Sequence, residues 1–444
     1  MYVLIVGAGQ VGRMIASNLE RAHEIAVVER DRRIAEEITY AHDVLSIAGD
    51  GTTLETLREA GLEKADLIVA CTDDDETNLV VCGTAKTATD AFTIARVRRH
   101  TLLETWEGSE SAFGVDFMIC TDLLVAQKIV HISGFPRAQD VETFAGGLVR
   151  MAEFEIGPKS PLIGQQVREA DRYGSMTFAG VFREAELVVA SGETSFEDGD
   201  RVVVIGSPES VGAFARANQP DDAVRAEDVV IVGGSEIGYQ TAREFESHGI
   251  SPRLIERDRE RARELAEALP KTLVIEHDAM ETTFLTREHI DEADVVVAAL
   301  GRDERNLLVS LLAHRIGVDR TIAIIDNTEY TDLFETVGID VAINPREETA
   351  EEIVRFTRTD QTEKIAMLEH DRAEVVEIEL GHESALTGRP IAESTADLPS
   401  GVVVGALSRG GRLVAPRGET VPQPGDHVVL FVDAAVLDEV ASKV

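Results

Sequence analysis

The sequence predicts an α/β protein in which two doubly wound, parallel-sheet domains alternate with two small α+β modules. Three observations carry that prediction. Short β-branched runs lack polar alternation, amphipathic helical stretches separate them, and the second half of the chain nearly repeats the first. Tyr2-Val3-Leu4-Ile5-Val6-Gly7-Ala8-Gly9-Gln10-Val11-Gly12 returns as Val229-Val230-Ile231-Val232-Gly233-Gly234-Ser235-Glu236-Ile237-Gly238, and Glu29-Arg30-Asp31 returns as Glu256-Arg257-Asp258. Asp50 pairs with Asp278, Ala65-Asp66 with Ala293-Asp294, and Asn78-Leu79 with Asn306-Leu307. The offset drifts only from 226 to 228 residues along this series, a register that chance does not produce.

Taken in order, residues 1–130 and 227–350 carry the two copies of the large domain. Continuous apolar strands are buried on both faces, which requires a parallel sheet covered by helices such as Val11 to Arg21 and Arg259 to Leu269. Residues 139–220 and 364–444 have a different texture. There, Gly157-Pro158, Ser160-Pro161 and Glu197-Asp198-Gly199-Asp200 punctuate short strands, and Pro424-Gly425-Asp426 does the same in the second module. Asn218-Gln219-Pro220-Asp221-Asp222 reads as the linker between the halves. A length of 444 residues suits about three or four such units.

Composition narrows the function classes. The formal charge of −38 comes from 81 acidic residues spread along nearly every segment, and lysine is scarce beside arginine. A whole surface of carboxylates needs abundant cations to screen its self-repulsion, which points to a salt-adapted cytoplasm such as a haloarchaeon's. Recognition of a basic partner would concentrate the charge in one patch, and nucleic acid would meet repulsion nearly everywhere. Cys71, Cys82 and Cys120 give neither a disulfide framework nor a cysteine zinc site. The chain opens directly on a strand without the pattern of a signal peptide, and no apolar run reaches the roughly 18 residues that cross a bilayer.

The glycine loops carry the chemistry. Gly7-x-Gly9-x-x-Gly12 follows a strand, opens a helix and precedes an acidic residue some 20 positions on, the context of a Rossmann-like dinucleotide site. Gly7 allows the tight turn, Gly9 lets backbone approach a pyrophosphate, and Gly12 lets the helix pack on the sheet. The free N–H groups of Gln10, Val11 and their neighbours then face phosphate. Glu29 is placed to accept hydrogen bonds from a ribose diol, which favours NAD(H) over its 2′-phosphorylated relative, although Arg30 pulls the other way. A glycine turn retained for packing is the alternative. The second loop, Gly233-Gly234-Ser235-Glu236-Ile237-Gly238, puts a side chain where phosphate must approach and a carboxylate at the positive end of the helix. Leu300 stands for Thr72 and Ile324 for Arg96, so a strong first site and a degenerate second one, around Glu256 and Asp278, are expected, the second copy being either a weak binder or purely structural. No His, Lys or Tyr set has a catalytic context, the histidines lack metal-ligand spacing, and Asp73-Asp74-Asp75-Glu76 reads as a solvated cluster. An enzyme is not expected.

Gly7 to Gly12, Glu29-Arg30-Asp31, Gly49-Asp50, Thr72-Asp73, Asn78-Leu79 and Ile94-Ala95-Arg96-Val97-Arg98 resemble the N-terminal domain of the RCK (regulator of potassium conductance) family. Pro161-Leu162-Ile163-Gly164 and Gly199-Asp200-Arg201-Val202-Val203-Val204 resemble its C-terminal domain, so the likeness covers essentially the whole chain. The resemblance implies a cytosolic homo-oligomeric ring of RCK domains, peripheral to the inner face of the membrane, that regulates a separate Trk-type potassium-translocating subunit. It implies a nucleotide site of Gly7, Ala8, Gly9, Gln10 and Val11 at the phosphates, Glu29 at the ribose and Asp50 near the adenine, completed by Thr72, Asp73 and Arg96. NAD(H), ATP and ADP are the ligands it implies. Two other readings remain at this point: a nicotinamide-dependent oxidoreductase, and a scaffold or potassium-channel gate whose loops bind nothing.

Overall fold

Apolar runs of the first copy form β1 (Tyr2–Val6), β2 (Glu24–Glu29), β3 (Leu45–Ala48), β4 (Leu67–Ala70), β5 (Phe92–Val97) and β6 (Phe117–Cys120). They pair in parallel in the order β3-β2-β1-β4-β5-β6. Val3, Leu4 and Ile5 on β1 and Ile68, Val69 and Ala70 on β4 have no exposed surface. Burial on both faces is why these strands show no polar alternation. Strand order reverses between β1 and β4, so a crevice opens beyond their carboxyl ends, where such sheets bind ligands. This computed structural model describes residues 1–109, 112–134, 138–158, 160–183, 186–218, 226–327, 330–355, 362–368, 372–441 and 443–444. Residues 219–222 of the expected linker lie outside the described residues.

The first small module supplies β7 (Ala138–Phe144), β8 (Val149–Glu155), β9 (Met176–Arg183), β10 (Glu186–Val189) and β11 (Arg201–Gly206), an antiparallel sheet of order β10-β9-β11-β8-β7. The second copy repeats the doubly wound plan with β12 (Val229–Val232), β13 (Arg253–Glu256), β14 (Leu273–Glu276), β15 (Val295–Ala298), β16 (Thr321–Ile324) and β17 (Val341–Ile343), in the order β14-β13-β12-β15-β16-β17. The second module closes the chain with β18 (Thr362–Leu368), β19 (Ala373–Glu379), β20 (Val402–Arg409), β21 (Arg412–Val414) and β22 (His427–Asp433), in the order β18-β19-β22-β20-β21. Its antiparallel pairing reproduces the strand order of the first module. The chain is thus α/β, two doubly wound domains alternating with two α+β modules, as its sequence predicts. Among the described residues no helix is long and apolar enough to cross a membrane.

The repeats pair with each other. Met1–Ile129 and Asp228–Thr357 form one compact unit, Val130–Glu227 and Arg358–Val444 another. Within the first unit, helix Gln10–Leu19 packs on helix Pro345–Arg355. Thr121 and Thr349 occupy equivalent positions 228 residues apart, both are buried, and their hydroxyls meet at 3.0 Å. A residue that touches its own counterpart lies on a two-fold axis. The Thr349 hydroxyl donates to the Pro345 carbonyl at 2.7 Å, so its single proton is used and Thr121 is the donor between the two. Lys128 Nζ reaches Glu348 at 2.7 Å across the same seam, and Arg243 reaches Glu104 at 3.3 Å.

Within the second unit, both modules contribute to a shared core that includes Phe144, Met151, Phe182, Val375, Val429 and Phe431. A Cβ at Gly180 would lie 2.6 Å from the Phe431 ring, and one at Gly405 would lie 2.6 Å from Ile205 Cδ1. Ile205 and Phe431 are counterparts in the repeat, and Gly180 and Gly405 lie one position apart in its register, so each module's strand is crossed closely by the other's side chain. The Ala145 N–H donates to Glu377 at 2.8 Å across the pair. Phe431 is fully buried, and truncating it leaves a cavity at the centre of the paired modules. Phe431→Ala is expected to cost about 3–5 kcal/mol, read as a lowered thermal midpoint of the full chain. An unchanged midpoint would show that the modules do not depend on this core.

Candidate functional site

The turn after β1 meets the three demands placed on its glycines. Gly7 has φ +110°, where side chains are strained, and its Cβ would lie 3.0 Å from the Thr72 nitrogen. A Cβ on Gly12 would lie 1.9 Å from the Gly7 carbonyl oxygen, so the helix can approach the strand only through glycine. Gly9 is the N-cap of helix Gln10–Leu19, no side chain caps it, and no atom lies within 4 Å of where its Cβ would be. Gly9 and Gln10 are exposed, and Ala8 and Val11 are buried. The loop presents a helix start with open space in front of it and no side chain in competition, the geometry that receives a phosphate. Gln10 is held from the second copy: Arg346 donates to its Oε1 at 2.6 Å.

Glu29 ends β2 and turns its carboxylate onto the loop. One oxygen accepts the Ala8 N–H at 2.8 Å and the other the Asp31 N–H at 2.9 Å. It pins the glycine turn to the neighbouring strand, and each oxygen keeps a further lone pair for a ribose hydroxyl. Asp50 lies on the loop after β3, where its carboxylate accepts the hydroxyl and N–H of Thr52, at 2.7 and 2.9 Å. Those two bonds hold it below the usual carboxylate range. Thr72 follows β4 and gives both its N–H and its hydroxyl to Asn78 Oδ1, at 2.9 and 2.6 Å.

Arg96, expected to complete the nucleotide pocket, also has partners within the protein. It is buried, its Nε donates to the Thr121 hydroxyl at 3.1 Å, and its Nη1 lies 3.2 Å from the carboxylate of exposed Asp73. The structure therefore joins Asp73 and Arg96 to the seam between the copies. Reading the sequence missed the roles of Asn78 and Asp75. Fully buried Asn78 ties Thr72 O and Arg96 O together at 3.0 and 2.8 Å, and Asp75 accepts the N–H groups of Arg98 and Arg99, each at 3.0 Å. Their signal was the repeat: Asn306 accepts from Leu300 N–H and donates to Ile324 O, and Asp303 accepts from Asp326 and Asn327.

The second copy keeps the framework and closes the loop. Gly233 again has φ +110°, and Glu256 again accepts from the loop (Gly234 N–H) and from its own turn (Asp258 N–H), both at 2.7 Å. Ser235 replaces the middle glycine, and its hydroxyl accepts the Gly238 N–H at 3.2 Å, so this helix caps itself. Glu236 does not take up the helix start as its position suggested. It accepts from Gln240 at 2.9 Å and lies 3.9 Å from Arg261, while Ile237 sits half-buried in the first turn. Asp278 accepts the Met280 N–H at 3.0 Å, matching Asp50.

The TrkA-N domain family matches residues 3–119 and 229–345, and the TrkA-C domain family matches residues 151–219 and 375–444. The chain is 34% identical over 448 residues to Trk system potassium uptake protein TrkA homolog 1 of Methanosarcina mazei, covering 99% of both. It is 32% identical to Trk system potassium uptake protein TrkA of Halomonas elongata, covering 97% of this chain and 96% of that one. Among solved structures, the GsuK RCK domain aligns with a TM-score of 0.62 at 18% identity, covering 99% of this chain and 95% of that one. The GsuK channel bound to NAD gives 0.62 at 19% identity, covering all of this chain and 78% of that one. At such identities the structural likeness speaks for the fold alone.

One buried carboxylate faces both loops' surroundings. Asp122, beside Thr121, is pushed up to about 6 by burial, against the pull of Arg98 and Arg96 and with the repulsion of Glu236 and Asp75. Its folded pKa lies above the ordinary value of 3.8, so the stability it contributes is whole below that value and is lost as pH rises through about 6. At neutral pH the group is ionised at a cost of at most about 3 kcal/mol. Asp122→Asn is expected to raise the thermal midpoint at pH 7 and to leave it nearly unchanged at pH 4. An equal effect at both would contradict the buried charge.

Proposed function

This chain belongs to the TrkA family, two TrkA-N and two TrkA-C domains in tandem, and from that premise we propose that it is the nucleotide-sensing regulatory subunit of a potassium uptake system rather than an enzyme. The observation that carries this reading is the open, uncapped helix start at Gly9 set beside its self-capped counterpart at Ser235. One loop leaves its N–H groups for a ligand and the other does not. Full-length relatives of at least 30% identity are named for potassium uptake. Domains 1–130, 139–220, 227–350 and 364–444 are the working units in this proposal.

At the first loop, Gly7, Ala8, Gly9, Gln10, Val11 and Gly12 receive the pyrophosphate, Glu29 takes the ribose, and Asp50 and Thr72 border the base. NAD(H) is the favoured ligand, with ATP or ADP at the same place. GsuK, which shares the fold, has been solved with NAD and with ADP. A ligand here acts on the attached transporter only through its unequal affinity for two arrangements of the protein. Asp73, Arg96 and Gln10 give it a route, because each is tied to the seam between the copies. The partner is a Trk-type potassium-translocating membrane subunit at the inner face of the cell membrane. Val80 and Leu308, exposed counterparts on helices Asp75–Lys86 and Asp303–Ile316, supply apolar surface for a homo-oligomeric ring.

Calorimetric titration of the full chain with NADH, NAD, ATP and ADP tests the reading. Binding of at least one is expected, abolished by Gly9→Asp, which sets a carboxylate in the phosphate space. The same variant is expected to alter potassium uptake in cells carrying the membrane subunit. No binding of any of the four overturns the sensor, and unchanged uptake by Gly9→Asp supports a scaffold instead.

A further inference from the structure

Asp122 is the second residue of helix Thr121–Ser133, next to the hydroxyl that meets Thr349 across the seam. It is only 3% exposed, yet among the described residues no N–H, hydroxyl or cation bonds to its carboxylate. Other buried aspartates are answered: Asp75 by the N–H groups of Arg98 and Arg99, Asp200 by Arg183 at 2.7 Å and Asp426 by Arg409 at 2.7 Å. A buried carboxylate without donors is costly in its ionised form, because neither water nor protein stabilises the charge.

The charges around Asp122 come from both copies. Arg96, near the end of β5, is committed to Thr121 and Asp73, and exposed Arg98 just beyond it attracts from outside ion-pair distance. Asp75, at the start of helix Asp75–Lys86, repels from within the first copy, and Glu236, at the start of helix Glu236–Ser247, repels from the second. The neighbouring Cys120 thiol is pushed up to about 11, chiefly by burial, and stays protonated where Asp122 titrates. Lys128, farther along the same helix, is held by Glu348 at 2.7 Å. Burial above all, with the two repelling carboxylates, outweighs the two arginines and raises Asp122 to about 6.

We infer that the seam is a proton-operated joint: Asp122 takes one proton from solvent, which removes its repulsion with Glu236 and lets the copies pair closely, and release of that proton loosens them. Part of the cover over Asp122 comes from the second copy, since Thr121 beside it is buried against Thr349. Separating the copies returns water to the carboxyl and restores its ordinary acidity, so closed and open seams hold the proton unequally. The closed seam is the tighter binder. Its advantage is whole at low pH and is lost as pH rises through about 6. The chain then responds to proton activity as well as to a ligand at the first loop, and the joint works whether or not Gly9 binds nucleotide.

Hydrogen exchange of the full chain without nucleotide, corrected for the intrinsic pH dependence of amide exchange, tests the joint. With Asp122 at about 6 in the closed seam and at its ordinary 3.8 in the open one, opening is expected to become about tenfold more frequent from pH 5 to pH 8. Helices Thr121–Ser133 and Glu236–Ser247 are expected to carry that change, and helix Arg32–Ala41, which packs on β2 and β3, to show none. Asp122→Asn is expected to stay protected at every pH. Glu236→Gln is expected to move the midpoint to lower pH, because one repelling charge is gone. The Glu236 side chain is 42% exposed, so this second variant disturbs no packing and decides the matter even where Asp122→Asn fails to fold. Exchange independent of pH in the unaltered chain, an unchanged slope in Asp122→Asn, or an unmoved midpoint in Glu236→Gln would each overturn the joint.

Discussion

Everything in the doubly wound unit hangs on one buried relay at the seam between the copies. Arg96 donates to Thr121, Thr121 to Thr349, and Thr349 to the Pro345 carbonyl. Every proton in that line has an acceptor, and a buried hydroxyl without one costs about 1–3 kcal/mol. The two copies are therefore held in one register, because a slip at the axis would leave several polar groups unpaired at once. The pairing is made by a chain with itself, so its two faces need not stay identical. Lys128–Glu348 and Arg346–Gln10 have no mirror images: the counterparts of Glu348 and Arg346 are Cys120 and Met118.

That freedom explains why the loops diverge while their scaffolding does not. Glu29 and Glu256 make the same two backbone contacts, and Asn78 and Asn306 bridge the same two loops. These are requirements of the fold and hold whether or not a ligand binds. A helix start has a competing demand, since N–H groups taken by a cap are no longer open to water or to a ligand. A serine cap stabilises a helix by about 1 kcal/mol, and the second copy takes that stability at Ser235. Gly9 forgoes it, which leaves the N–H groups of that helix start to water or to an anion such as a phosphate.

The same distinction marks what was legible in the sequence. Alternation of apolar runs with amphipathic helices, and the repeat, are legible along the chain, and both parallel sheets followed from them. Gly7, Gly9 and Gly12 were legible because each answers a steric demand a few residues away. Glu29 was legible in position and only half in role, because its contact with Ala8 arises 21 residues from itself and looks the same in a copy whose loop is closed. The tie of Arg96 to the seam was not legible. Its place depends on Thr121, and Thr121 depends on a residue 228 positions on, and no short motif records such a pair. Glu236 misled for a similar reason: charge at a helix start suggests a cap, but a hydroxyl one residue earlier is already in place.

The two loops are then unequally tied to the seam. At the first loop, Gln10 is gripped by Arg346, and Asp73 by an arginine that feeds the relay. At the second, the counterparts of Asp73 and Arg96 are Gly301 and Ile324, which grip nothing, and among the described residues Glu236, the counterpart of Gln10, meets the first copy only through repulsion from Asp122. A ligand can shift an equilibrium only by the difference in its affinity for the two states, and that difference has to arise where its contacts change with the arrangement. Charged contacts on the seam change when the copies move, whereas backbone contacts inside one domain do not. In the proposed regulator, occupancy of the first loop therefore has leverage on the paired copies.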